Sequence, residues 1–390
     1  MSRRNITRLT LIVVVTTFAF ACAPALGAKK MEMGLQDDGA FVSEVNLKRS
    51  KALKLADQLK VTRIRVNIQW AKVVNSPGKK KRPKKRRYDF ASYDALINAA
   101  KRRGIKLQVN ITGMAPAWAT NNHKVGGDRP NTKYFKEFAR AVVKHFRKHV
   151  DRYAIWNEPN YKAWLGPSSA SPKLYHKIYK TSYDLVRKYN PKAKILIGET
   201  APYGQDGRAT PPLEWLRRLA KYGRLRADGY AHHPYDFRHS PDYDYPGSDN
   251  VTMSGLSRLT KQLDKLKKEK KLLTPKGKAL DVYLTEYGYM RSGKYKVSEK
   301  TRAKYLTRAF QRALDNPRVK QMTQYQLVRP PWARDNFDTG LVSKKKGKPT
   351  GAFRALAKWA KKQAQKHKIL VARKPRTASK RSPLPSLPLP

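Results

Sequence analysis

Apolar residues recur along the chain in two alternating rhythms, a short strand-like run and then a longer stretch spaced as one face of a helix. Residues 31–36 form the first strand candidate, and Leu47, Leu53, Leu55 and Leu59 anchor the helix after it. Over 61–68, Val61, Ile64, Val66 and Ile68 take one side while Arg65 and Asn67 take the other. Tyr93, Leu96, Ile97 and Ala100 space as a helix face, and Gly104 ends it. The beat continues with strands at 105–111, 153–156, 194–198, 229–232, 280–285 and 321–327. The helices between and after them are anchored by Phe135, Phe138, Val142 and Phe146, and then cover 175–189, 213–222, 256–270, 302–314 and 353–365. Eight strand–helix pairs in succession predict an α/β chain closed as a (β/α)₈ TIM barrel. A doubly wound sheet is the competing architecture, and it rarely carries eight such repeats.

Three segments fall outside the repeat. Arg3, Arg4 and Arg8 precede an apolar run from Leu9 to Phe20, and Ala25, Leu26 and Gly27 offer small residues near a cleavage point. This is the three-part pattern of an export signal, read as residues 1–28 and too short for a stable membrane span. Secretion or attachment to the cell envelope follows, by a general, twin-arginine or lipoprotein route. The one cysteine, Cys22, lies in this segment, so the processed protein has no disulfide to rely on. The catalytic unit is expected over 29–368. Within it, residues 79–87 are basic at eight of nine positions and interrupt the loop after the second strand. Residues 369–390 form a basic, Pro-rich tail with too little apolar periodicity to pack, and are expected to be disordered.

With 40% apolar residues in 390, the chain can bury a large core, which excludes wholesale disorder. The formal net charge of +57 is the unusual quantity. It favours association with anionic partners, such as an acidic polysaccharide or a cell-envelope polymer, or it merely decorates a solvated surface. Nucleic acid is disfavoured as a partner: the chain has no helix-turn-helix, zinc or RNA-binding motif, and it carries an export pattern. No second apolar run is long enough to span a membrane.

In a barrel of this kind the chemistry gathers where strands end. The fourth strand ends in Trp156-Asn157-Glu158-Pro159, the seventh in Leu284-Thr285-Glu286-Tyr287-Gly288. The second carries Arg65, Asn67 and Trp70, and the sixth runs into His232-His233-Pro234-Tyr235. Two glutamates thus converge on one mouth, as glycosidic bond cleavage requires: one carboxyl to hold a proton, the other to attack or to activate water. The adjacent histidines suggest a metal pair, but no third ligand lies near them, so neither metal nor cofactor is expected. Trp118 and Trp332 are either sugar-stacking platforms or core rings. Glu199, at the end of the fifth strand, is either a third carboxylate of the site or a substrate contact.

The motif Trp156-Asn157-Glu158-Pro159 resembles the acid/base motif of glycoside hydrolase clan A, and Glu286 in its setting looks like that clan's nucleophile. The resemblance extends over about 31–365. Arg65-Val66-Asn67-Ile68-Gln69-Trp70 is similar to the strand-two arginine motif, and Gly113–Ala119 to a loop lining the sugar cleft. Phe337–Val342 with Lys348-Pro349 is similar to the closing segment of family 39-like and family 5-like members. The resemblance implies a retaining glycosidase acting on a poly- or oligosaccharide, with Glu158 as acid/base, Glu286 as nucleophile and Asn157 on a sugar 2-hydroxyl. Arg65 and Tyr235 would hold the nucleophile and His233 would line the site. A non-catalytic carbohydrate-binding barrel and a transglycosylase are the alternatives; the first would be expected to lack one of the carboxylates.

Overall fold

The computed structural model describes residues 30–329, 337–343 and 346–373. Eight parallel strands close into a barrel: β1 (Glu32–Gln36), β2 (Arg63–Gln69), β3 (Lys106–Thr112), β4 (Arg152–Ile155), β5 (Lys194–Thr200), β6 (Gly229–His232), β7 (Val282–Leu284) and β8 (Val319–Tyr325). Each strand pairs with its neighbours in chain order, and β8 returns to β1 in the register Glu32↔Gln321 to Gln36↔Tyr325. The helices that follow them are α1 (Arg49–Gln58), α2 (Ala91–Lys101), α3 (Thr132–Phe146), α4 (Ser171–Tyr189), α5 (Pro212–Ala220), α6 (Leu256–Lys268), α7 (Glu299–Asp315) and α8 (Gly351–Gln365). The expected architecture is therefore the observed one. A small parallel pair, Leu225–Arg226 with Leu272–Leu273, lies outside the barrel and is too short to leave a periodic signal.

The strands divide their residues between two surroundings. Ile64, Val66 and Ile68 of β2 join the apolar layer under the helices, whereas Arg63, Arg65 and Asn67 are buried on the other side, within the barrel. Val61, expected on the face of Ile64, lies before the strand begins. Inside the barrel, Ala154, Leu196, Ala231 and Tyr283 make a small apolar plug separate from the outer core. Two charged clusters lie toward the two barrel ends. The helices close the outer layer by their apolar stripes: α3 buries Phe135, Phe138, Ala139, Val142, Val143 and Phe146, the spacing of one helix face. Its start is fixed by Asn131, whose side chain accepts the N–H groups of Lys133 and Tyr134. Phe138 stacks on Trp70 at 5.6 Å, so Phe138→Ala would cost about 3–5 kcal/mol.

The barrel is locked at its mouth by Asp37, just past β1. Its Oδ1 accepts the N–H of Ala40 and its Oδ2 those of Leu327 and Val328, tying the first strand end to the segment after β8. The basic segment 79–87 leaves this same end of the barrel. Arg82 and Arg86 are fastened to Glu137 of α3, and Arg82 lies 4.0 Å over the Tyr134 ring. Lys79, Lys80, Lys81, Lys84, Lys85 and Arg87 stay exposed. The C-terminal boundary moves slightly from the expected one. Ile369 is buried and bridges Met31, and the Leu370 N–H donates to the Met31 carbonyl. An apolar residue beside an open strand start packs even without periodic company. Residues 1–28, expected to be an export signal, and residues 374–390 of the tail lie outside the described residues. Among the described residues no helix is long and apolar enough to cross a membrane.

Candidate active site

Past the end of β4 the backbone turns sharply. Trp156 has φ 61° and Glu158 φ 39°, both in the left-handed region, which costs a non-glycine residue about 1–3 kcal/mol. The surroundings hold the turn in place. The Trp156 N–H donates to the Ile111 carbonyl, the Asn157 N–H to Thr112 Oγ1 at 2.9 Å, and the Glu158 N–H to the Glu199 carbonyl at 2.9 Å. The Trp156 ring meets Phe135 edge-on at 5.3 Å, and its Nε1 donates to the Trp164 carbonyl. The strained segment thus presents Glu158 at the mouth with its side chain partly open, at 16% exposure.

Glu286, one residue beyond Thr285 at the end of β7, is almost closed off. Its Oε1 accepts from Arg65 Nη1 at 2.6 Å and its Oε2 from the Tyr235 hydroxyl at 3.2 Å. Arg65 is fully buried. Its Nη1 also reaches Gln36, and its Nη2 donates to Asn157 Oδ1 at 2.9 Å and Glu199 Oε2 at 2.7 Å. With its oxygen held by Arg65, Asn157 keeps the amide NH₂ as the group it can offer a hydroxyl. His233 connects the carboxylates: Nδ1 lies 3.0 Å from Glu158 Oε1 and 3.8 Å from Glu286 Oε2, and Nε2 lies 2.8 Å from Glu199 Oε2. Burial works against charge on this ring, but Glu286, Glu158 and Glu199 outweigh it and raise its pKa to about 9. For Glu199, burial opposes ionisation; the Arg65 charge and the His233 contacts overcome it and hold the carboxyl below its ordinary value.

Glu158, His233 and Glu286 each bring one ligand atom within 4.8 Å of the others, a spacing that would suit a cation. Both His233 nitrogens, however, face carboxylate oxygens, and a protonated ring has no lone pair to give a metal. His232 belongs to the core instead. Its Nδ1 meets Thr200 Oγ1 and its Nε2 the Val251 carbonyl, each at 2.8 Å, and burial pushes its pKa down to about 3.

Beside Glu158 opens a cleft of about 630 Å³ walled by the loops after β4 to β8. Its walls are largely aromatic: Tyr203 stacks on Tyr245 at 4.9 Å, Tyr235 on Phe237 at 4.7 Å, and Phe337 meets Phe237 edge-on. Six of the eight expected site residues therefore meet at this mouth: Glu158, Glu286, Arg65, Asn157, His233 and Tyr235. Trp118 does not. It is buried, packs edge-on against Trp70 at 5.5 Å and near Tyr134, and takes no part in the cleft wall, so it is a core ring. Trp332 lies outside the described residues. Sequence reasoning missed Gln36 and Thr285, although both end strands, and it missed the loop aromatics, which follow no period.

Residues 28–333 match the model of the cellulase family, glycosyl hydrolase family 5. No curated protein sequence matches the chain. Among solved structures it is similar to a family 39 glycoside hydrolase from the gut symbiont Bacteroides cellulosilyticus, with 21% identity and a TM-score of 0.61 over 85% of this chain and 64% of that one. It is also similar to a monomeric β-xylosidase from Caulobacter crescentus (18% identity, TM-score 0.58, 85% and 67%) and to a glucosidase from Croceicoccus marinus (14%, 0.60, 86% and 68%). At these identities the likeness is one of fold, and the chain spans about two thirds of those proteins' length. With more than three quarters of its length under one family model, the chain belongs to glycosyl hydrolase family 5.

Proposed function

We propose that the protein is a retaining glycoside hydrolase in which Glu158 is the acid/base and Glu286 the nucleophile. The observation that carries the reading is the approach of the two carboxyls, which bring one oxygen each within 4.8 Å, toward the short end of the range for such pairs. A retaining pair stands about 5–5.5 Å apart, whereas inversion needs about 6.5–9.5 Å to seat a water between them. In the first step a Glu286 oxygen attacks the anomeric carbon, the bond to the glycosidic oxygen breaks, and Glu158 passes its proton to the departing oxygen. A glycosyl ester on Glu286 results. Glu158 then takes a proton from water as that water attacks the same carbon, and the ester bond breaks to regenerate Glu286. Arg65 and Tyr235 suit the nucleophile role, since each donates to a Glu286 oxygen. Asn157 would offer its amide NH₂ to a sugar 2-hydroxyl, its oxygen being held by Arg65.

The aromatic walls suit the apolar faces of pyranose rings, so the substrate is read as an oligo- or polysaccharide. The proposal includes export, on the pattern of residues 1–28, and adhesion to an anionic glycan through the exposed lysines of 79–87. A fluorinated activated glycoside should leave a covalent sugar on Glu286, detected by mass spectrometry, and NMR should find the first product with its anomeric configuration kept. An inverted first product would overturn the reading. Products longer than the substrate would assign the same residues to transglycosylation.

A further inference from the structure

The third carboxylate of the mouth has no part in the two-carboxyl chemistry, yet it holds Arg65, His233 and the backbone of Glu158. Glu199 Oε2 accepts from Arg65 Nη2, His233 Nε2 and Thr285 Oγ1 at 2.7, 2.8 and 2.9 Å, and the Glu199 carbonyl accepts the Glu158 N–H. The backbone is shaped to bring it there. In β5 strict alternation would send Leu196, Gly198 and Thr200 one way and Glu199 the other, toward the helices. The β5–β6 register slips between Gly198 and Thr200, and Glu199 adopts φ 53°. A bulge of this kind re-aims one side chain, here into the barrel mouth. Burying a full carboxylate in this way is costly unless it is paired, and it is paired on two sides.

We infer that Glu199 is a positioning residue that keeps a proton on His233 Nε2 and so makes His233 and Glu158 a single proton-holding pair, with the exchangeable proton between His233 Nδ1 and Glu158 Oε1. The inference rests on the reading of Glu158 as the acid. With Nε2–H held by Glu199, only Nδ1 is left to share a proton with Glu158, and the 3.0 Å separation is that of a hydrogen bond. The pair titrates as a unit, and a fixed negative charge behind it raises its affinity for the shared proton. The charged and titratable groups facing His233 are Glu158 from β4, Glu199 from β5, Glu286 from the end of β7 and Tyr235 and His232 on its own segment, with Arg65 beyond Glu199 and Glu286. Glu199 Oε1 makes no hydrogen bond, so a Gln side chain fits the same space and can turn its carbonyl oxygen to the three donors.

Two measurements test this. In Glu199→Gln the basic limb of kcat/KM should move to lower pH by about one unit or more, with the loss confined to substrates whose leaving group needs a proton. Glu199→Asp, which restores the charge, should move the limb back toward the wild type. Independently of turnover, the imidazole ¹⁵N shifts of His233 in the wild-type protein, assigned against His233→Gln, should report both nitrogens protonated at pH 7.5. A basic limb unmoved in Glu199→Gln, or a His233 that is neutral at pH 7.5, overturns the inference. A wild-type protein inert toward every glycoside would instead count against the glycosidase reading, while the ¹⁵N titration would still decide the role of Glu199, as it would if Glu199→Gln did not fold.

Discussion

Arg63 and Arg65 stand two residues apart on one side of β2 and organise opposite ends of the barrel. At the foot, Arg63 grips Glu32 with Nε and Nη2 at 3.0 and 2.9 Å and reaches Asp151 at 2.6 Å, while Arg152 bonds Glu32 and Gln321. At the mouth, Arg65 divides its donors among Gln36, Asn157, Glu199 and Glu286. Both clusters are buried and ionic, but they are completed differently. The foot matches two guanidiniums with two carboxylates, one of them in a fork-on geometry that leaves little unspent. The mouth retains capacity: Glu158 has one side-chain partner and an open side at the cleft wall, while Glu286 behind it is held by Arg65 and Tyr235. A buried charge cluster is therefore not by itself a sign of function. What separates the two is a carboxyl, Glu158, with unused hydrogen-bonding capacity toward a cavity.

The sharpest way to break the comparison is to remove one carboxylate from each end. Glu286→Gln should lose about 10⁴-fold or more in kcat on every glycoside, because no covalent intermediate can form. Glu158→Gln should lose about 10²–10⁴-fold on unactivated glycosides and much less on aryl glycosides with good leaving groups. Steady-state kinetics on the two substrate classes checks both. Equal loss on both classes in both variants would contradict the assignment. Glu32→Gln should behave in the opposite way, with kcat kept and stability lowered. Removing one partner of a buried pair costs about 3–5 kcal/mol, and about 3 is expected because Asp151 is half-exposed and remains on Arg63. Urea unfolding monitored alongside activity separates the two outcomes.

The clusters should also fail at opposite ends of the pH scale. Burial alone would raise the Glu32 carboxyl, but Arg63 and Arg152 hold it down at about 2, and Asp151 is held at about 2 by Arg63 and Lys106 against the same effect. Folded values below the unfolded ones mean that the foot's contribution is complete above about pH 4.5 and is lost as pH falls toward 2. His233 has the reverse sign. Raised to about 9, its contribution is complete below about pH 6.5 and is lost as pH rises through 9. Glu32→Gln should flatten the acid limb of stability and leave the alkaline one, and His233→Gln should flatten the alkaline one. Thermal unfolding across pH 3–10 checks the pair.

The two ends were not equally legible in the sequence. Alternation along β2 already separates Arg65 and Asn67 from Ile64 and Val66, and the strand ends name Glu158, Glu286, His233 and Tyr235. These follow from local spacing, which a chain displays openly. Glu199 could be noticed but not placed, because its side chain enters the mouth only through a one-residue slip against β6. Trp118 could not be resolved between cleft and core. Its environment is Trp70 from the β2 end and Tyr134 from α3, contacts that tertiary packing alone decides. The stacked pair Tyr203 and Tyr245 joins two loops that have no period to read.

The smallest effect belongs to the exposed charges, which contrast with both clusters. The 79–87 segment is held by Arg82 and Arg86 on Glu137, whereas Lys79, Lys80, Lys81, Lys84, Lys85 and Arg87 point to solvent and take no part in the cleft wall. Replacing these six with Ser, and keeping Arg82 and Arg86, preserves the loop's anchors. Stability should change by less than about 1 kcal/mol, since exposed charges contribute little. The kcat on a small neutral glycoside should not change, because none of the six faces the catalytic carboxyls. Retention on an immobilised acidic polysaccharide should fall, and its salt dependence should flatten. Exposed charges are screened beyond about 8 Å at physiological salt, so an attraction carried by them weakens steeply as salt rises. A retention curve across a salt series that superimposes on the wild type would show that these lysines are solvated ornament. It would also assign the protein's affinity for polyanions, if any, to the rest of its +57 charge.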